Sequence, residues 1–205
     1  MTASRVGLIV STYNNPVNLR ATLASVERQS QLPDHVYIAD DGSGEETAKV
    51  VHDFARRLPL RHVWHEDRGF RLAAIRNRAV AAAEEPYLVF VDGDTVLHRH
   101  FVHDHARLAA PRVALLPGRC ALSGYHKTGL ESAPGAAGLA RHLLAGRVLN
   151  DSIRFGRSGK SAMKGLMKGC RLPRGLVRRC TPQETRGGNM SAWRDDIIAG
   201  NGFDE

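Results

Sequence analysis

The sequence predicts an α/β fold, a mainly parallel sheet flanked by helices, and three observations carry that prediction. Short apolar runs alternate with segments whose apolar residues recur every three or four positions. The runs 6–10, 36–39 and 87–91 are almost continuously apolar, as strands covered on both faces must be. With 205 residues, 42% of them hydrophobic, the chain can bury roughly 70% of its unfolded surface around one core, so a single domain is expected.

Val6-Gly7-Leu8-Ile9-Val10 is the first expected strand. Asn15 is placed to cap a helix with Pro16 at its first position, and Leu19, Leu23 and Val26 then recur at helical spacing. Val36-Tyr37-Ile38-Ala39 is the second strand. After the turn Asp40-Asp41-Gly42-Ser43, the acidic pair Glu45-Glu46 opens a helix with Val51, Ala55 and Leu58 on one face. His62-Val63-Trp64-His65 reads as a third strand. A helix over 70–83 is expected to bury Leu72, Ile75, Ala79 and either Ala82 or Ala83 before the chain returns as the strand 87–91. Val113-Ala114-Leu115-Leu116 is the expected fifth strand.

A net charge of +8 and a pI near 9.9 favour polyanionic partners: nucleotides, nucleic acid or an anionic membrane face. Cys120, Cys170 and Cys180 have no C-x-x-C spacing, which points to reduced thiols, a cytoplasmic compartment and no zinc site. The first ten residues hold one arginine and a short apolar run, so neither signal peptide nor membrane span is expected there.

In a parallel sheet, Ser11-Thr12-Tyr13-Asn14, Asp40-Asp41 and Asp92-Gly93-Asp94 each follow a strand and share one edge, where such folds bind ligands. Asp92 and Asp94 are expected to point the same way from the end of a buried strand, with Gly93 giving a ligand close access to the backbone. Two converging carboxylates suit a hard cation, Mg²⁺ or Mn²⁺, carrying a phosphate ester. By itself the triplet is equally an ordinary turn. No glycine-rich phosphate loop follows the first strand, which argues against a dinucleotide fold.

Four segments, V-G-L-I-V-S-T-Y-N, V-Y-I-A-D-D-G-S, E-D-R-G-F-R-L-A-A-I-R-N-R-A and V-F-V-D-G-D, resemble in order and spacing the family 2 glycosyltransferases of the GT-A fold. The tail R-G-G-N-M-S-A-W-R-D-D-I-I-A-G-N-G-F-D-E is similar to the acceptor-side segment of the galactosyltransferase and chondroitin-polymerase branch. The resemblance implies a Rossmann-like GT-A sheet. It divides the chain into a nucleotide-sugar-binding half (1–118), a variable basic segment (119–185) and the start of an acceptor-side region (186–205). It also implies an inverting, metal-dependent hexosyltransferase that moves a sugar from a nucleotide-sugar, a UDP-sugar, to a glycan or lipid-linked acceptor in polysaccharide or lipopolysaccharide synthesis.

By the same resemblance Thr12, Tyr13 and Asn14 line the base pocket, Asp41 accepts the imide N–H of a uracil, and Arg71 and Arg76 lie near the nucleotide. Asp92 touches ribose or metal, Asp94 binds Mn²⁺ or Mg²⁺ directly, and Gly93 lies between them at the donor. A carboxylate only accepts, so Asp41 would select a base that presents a donor. The residues also admit plainer readings. Asp40-Asp41 can be an Asx turn, with Asp40 keeping that role, and the arginines can coat a helix, with Arg78 solvated. The N-terminus of the helix after 66–71 can assist anion binding. Asn77 either belongs to the family's Arg-Asn pair or is structural, and Trp193 either stacks on sugar or fills the core. In that branch the catalytic base follows the Gly-Phe-Asp-Glu segment, so it is expected beyond Glu205 and the chain is expected to be a fragment. Asp195 and Asp196 are expected to open a short helix rather than replace the base.

Between Asp151 and Glu184 no acidic residue occurs, while Arg154, Arg157, Lys160, Lys164, Lys168, Arg171, Arg174, Arg178 and Arg179 accumulate. Ile153, Phe155, Met163, Leu166 and Met167 interleave with them. The stretch 154–179 reads either as a peripheral element on the anionic inner face of a membrane or as a solvated insertion. Gly159-Lys160-Ser161 is no phosphate loop, because Arg154 occupies the required glycine position. His98, His100, His103 and His105 are expected on a surface helix without a second metal site. Two rival functions remain: a non-catalytic nucleotide-sugar-binding remnant, and a basic nucleic-acid binder, which the lack of an aromatic stacking platform disfavours.

Overall fold

Continuous apolarity places the expected strands at the centre of one sheet. β1 (Val6–Thr12), β2 (His35–Asp40), β3 (Leu60–Trp64) and β4 (Tyr87–Asp92) run parallel, and β5 (Asn189–Trp193) lies antiparallel to β4, in the order β3-β2-β1-β4-β5. The computed structural model describes residues 2–116 and 188–204. The basic stretch 154–179 and the three cysteines lie outside the described residues.

All seven residues of the central strand β1 are buried, whereas edge strand β3 is half open and leaves Trp64 exposed. α1 (Pro16–Val26) starts as expected: the Asn15 side chain accepts from the Asn18 amide and Pro16 holds the first position. α2 (Glu45–Ala55) buries Thr47, Val50, Val51 and Phe54, with Leu58 just beyond. Ala55, expected on that face, is exposed, because the bulkier Phe54 takes the inward position. α3 (Leu72–Ala82) buries Ala74, Ile75, Arg76, Ala79 and Val80, and Ala83 rather than Ala82 closes its apolar stripe.

α1 packs against α2 and α3 packs across β1, β2 and β3, and with right-handed crossovers the reversed step from β3 to β4 puts α3 on the face opposite α1 and α2. There Ile75, Ala79, Val80 and Ala83 pack with Ile9, Tyr37, Ala39, Leu88 and Phe90, extended by Ala192 and by Ile197 of α5 (Arg194–Ala199). Asp195 and Asp196 lie in the first turn of α5, as expected.

Two further expectations fail. Residues 113–116 form no strand: Leu115 makes a single antiparallel bridge to Ser191, and Arg112 just before it turns left-handed at φ 57°. The strand that pairs with β4 comes instead from 189–193. The histidines do not share a surface helix either. His98 and His100 precede α4 (Phe101–Leu108), and His105 is buried with Nδ1 2.6 Å from the Ser191 hydroxyl, which also meets the Tyr87 hydroxyl at 2.7 Å. A polar residue facing inward on a helix needs a partner, and β5, remote in sequence, supplies it.

Candidate functional site

β1 ends at Thr12, β2 at Asp40 and β4 at Asp92, with Thr12 opposite Asp40 and Ser11 opposite Asp92. Strand order reverses at β1, because β2 lies on one side of it and β4 on the other. The carboxyl ends of these strands therefore flank a crevice at the topological switch point.

The Asp-Gly-Asp turn is strapped to β1. Gly93 donates its N–H to Ser11 O at 2.7 Å and accepts from the Thr22 hydroxyl at 2.9 Å. A Cβ at Gly93 would lie 2.9 Å from Ser11 O, so this glycine is required by the neighbouring strand. β4 stops at Asp92, and Asp94 lies in the turn beyond it. The two carboxylates thus differ in setting, contrary to the expectation of a shared strand face: the strand pleat no longer governs Asp94. Asp94 is exposed and meets the Thr95 hydroxyl at 3.5 Å. Asp92 accepts from Arg76 Nη2 at 3.0 Å, and Gly188 lies against its carboxylate. Arg76 also donates Nε–H to Ser11 Oγ at 3.0 Å, and Phe203 lies under its guanidinium.

On the other side of β1, Asp41 is buried and both of its oxygens are engaged. Oδ1 meets His65 Nε2 at 2.7 Å, and Oδ2 accepts the Arg71 backbone N–H at 2.9 Å. Arg71 is the N-cap residue of α3, half-buried. Asp40 keeps the turn role: its Oδ1 accepts from the Ser43 amide and its Oδ2 from His62. Burial pushes the Asp40 carboxyl up, but the His62 and Ser43 hydrogen bonds outweigh it and hold the group below the usual carboxylate range.

Among the remaining expected residues, Tyr13 is exposed and donates its hydroxyl to Asp67 at 2.9 Å, a bond that raises its phenol pKa. Asn14, left-handed at φ 42°, links the first loop to the second through Ser43 and Gly44. The Thr12 hydroxyl is buried and has no hydrogen-bond partner among the described residues. The Asn77 side-chain amide exchanges two hydrogen bonds with the Phe203 backbone, each 2.9 Å. Trp193 packs edge-on to Tyr87 and donates to Ala110 O, while Arg78 is exposed. Sequence reasoning placed Ser11 at this edge without a role and missed His65 and Gly188 as partners of the site. The position of His65 directly after β3 was the available signal for it. Among the described residues no three His, Cys, Asp or Glu side chains gather as a metal cage.

Residues 8–119, which contain every element of this edge except Gly188 and Phe203, match the profile of glycosyl transferase family 2. The chain belongs to that family. Validoxylamine A glucosyltransferase of Streptomyces hygroscopicus subsp. limoneus is 33% identical over 116 residues, covering 54% of this family 2 chain and 26% of the relative. Chondroitin synthase of Escherichia coli is 32% identical over 117 residues, covering 56% of this chain and 17% of the relative. The matches thus span about a quarter of the one relative and less of the other. Among solved structures, the mannosyltransferase PcManGT of Pyrobaculum calidifontis, in complex with GDP-Man and Mn²⁺, aligns over 98% of this chain and 47% of its own, with a TM-score of 0.58 and 20% identity. That likeness establishes the shared GT-A fold of this family 2 member. Among its described residues, no helix is long and apolar enough to cross a membrane.

Proposed function

We propose that this chain binds a nucleotide-sugar donor, a UDP-sugar, at the edge formed by β1, β2 and β4, and serves an inverting, metal-dependent transfer of its sugar to a glycan or lipid-linked acceptor. One observation carries the reading: acceptor groups suited to a base and carboxylates suited to a cation flank the strand where the sheet order reverses. Relatives named glucosyltransferase and chondroitin synthase support sugar transfer and a glycan acceptor.

In this reading Asp41 accepts an N–H from the base, and Thr12, Tyr13 and Asn14 border the base and ribose. The Thr12 hydroxyl, unpartnered among the described residues, is available to such a ligand. Asp92 and Asp94 would hold Mn²⁺ or Mg²⁺. Their oxygen-only donor set and the exposure of Asp94 suit a hard cation that takes its other ligands from phosphate and water. When bound, the cation would neutralise charge building on the departing diphosphate. Arg76 fixes Asp92 from behind, while Arg71 stands at the head of α3 beside Asp41. Binding energy is thereby directed to base and diphosphate, leaving the anomeric carbon open to an acceptor hydroxyl.

Calorimetric titration of UDP with and without Mn²⁺, followed by a UDP-release assay with UDP-sugars, tests the proposal. Mn²⁺-dependent UDP binding is the expected result. Binding that ignores Mn²⁺, or no UDP binding, overturns it.

A further inference from the structure

His65 is buried beside Asp41, directly beyond the end of β3, and its two ring nitrogens have unequal fates. Nε2 meets Asp41 Oδ1 at 2.7 Å, and because a carboxylate is acceptor-only, this nitrogen carries the hydrogen. Nδ1 is buried and has no hydrogen-bond partner among the described residues. A histidine retained only to join two parts of a core would satisfy both nitrogens, since unmet buried polar atoms are uncommon and costly. The neighbouring pair offers a contrast. His62 reaches Asp40, but Asp40 is wholly buried and spends its other oxygen on the Ser43 turn.

At Asp41 the two donors arrive on different oxygens, His65 Nε2–H on Oδ1 and the Arg71 N–H on Oδ2. Each carboxylate oxygen keeps a second lone pair, and with both oxygens anchored the plane of the carboxylate cannot rotate. A fixed acceptor discriminates between bases better than a mobile one, because a ligand need not order it on binding.

We propose that His65 is a positioning residue for base selection: its Nε2–H locks the Asp41 carboxylate in the orientation that accepts the imide N–H of a pyrimidine nucleotide. This rests on the base pocket assigned above. His65 touches no reacting atom, and its effect passes through Asp41.

The test compares UDP with N3-methyl-UDP, which lacks the imide donor, as Mn²⁺ complexes of the full chain. Wild type is expected to prefer UDP by at least about tenfold, the lower end of the scale of one hydrogen bond to a charged group. His65→Asn, whose amide reaches only the Nδ1 place, loses that preference through weaker UDP binding, while its affinity for N3-methyl-UDP stays unchanged. His65→Gln, whose amide nitrogen reaches the Nε2 place, restores the preference. Thermal unfolding establishes that each variant is folded. If His65→Asn does not fold, His65→Gln decides alone, and a lost preference there overturns the proposal. Equal weakening of both ligands in His65→Asn, or an undiminished preference, also overturns it. A wild type that binds both ligands alike overturns the base pocket itself, an outcome distinct from the failure of His65.

Discussion

Arg76 holds Asp92 with one nitrogen at 3.0 Å and the Ser11 hydroxyl with another at 3.0 Å, so a single buried guanidinium ties α3 to the ends of β1 and β4. Arg76 is 6% exposed, whereas the Asp92 side chain retains 31% exposure. The pair thus fixes one oxygen of Asp92, while Gly188 lies against the same carboxylate.

Replacing Arg76 by Met keeps the bulk and removes the charge. Loss of one partner of a buried pair costs about 3–5 kcal/mol, and the partial exposure of Asp92 reduces this to about 2 kcal/mol. Urea denaturation of Arg76→Met is expected to show that loss, together with weakened Mn²⁺-dependent UDP binding.

Asp94 is exposed, so Asp94→Ala is expected to leave stability within about 0.5 kcal/mol of wild type. The same substitution is expected to abolish the Mn²⁺-dependent part of UDP affinity. Unchanged UDP titrations with and without Mn²⁺ would remove Asp94 from the metal site.

Gly42 adopts φ 96°, and a Cβ there would lie 2.5 Å from the Asp67 Cα. Gly42→Ala therefore combines a left-handed strain with a backbone clash, costing about 2–3 kcal/mol. Because Asp67 receives the Tyr13 hydroxyl, UDP affinity is expected to fall as well. A chemical melt that matches wild type would count against this geometry.

Glu85 lies at the opposite end of the sheet with no exposed surface, bonded to His35 at 2.6 Å, Tyr37 at 2.9 Å and Arg5 at 3.4 Å. Burial pushes its carboxyl up, but the His35 and Tyr37 hydrogen bonds outweigh it, so its pKa falls below the ordinary 4.5. Burial also pushes the Tyr37 phenol up to about 12. A carboxyl with a depressed folded pKa binds its proton more readily when unfolded. Its stabilisation is therefore complete above the ordinary value and is lost as pH falls through the lower folded one. Wild type is expected to lose stability below pH 4.5. Glu85→Gln should be weaker by about 2 kcal/mol at pH 7 and should show a flatter acid limb in pH-dependent melts.

Periodicity made the first half of this chain legible, because strands covered on both faces leave continuous apolar runs and α1 carries its own cap at Asn15. The parallel arrangement of β1 to β4 followed from the alternation of strands and helices, and with it the gathering of Thr12, Asp41 and Asp92 at one edge. β5 was not legible as the partner of β4: its pairing is long-range, and its five residues include polar Asn189 and Ser191 facing inward. Likewise His105 looked like a surface residue until Ser191 arrived from the distant strand.

The sequence by itself determined which residues are present at the edge, since chain order and strand direction deliver each polar cluster to the same end of the sheet. Only the tertiary structure decided how those residues are used. Asp92 turns to Arg76, Asp41 is clamped between His65 and the Arg71 amide, and Asp94 is left open to solvent. Hydrogen-bond partners sixteen to thirty positions apart depend on where helices cross the sheet, and local periodicity carries no information about that crossing.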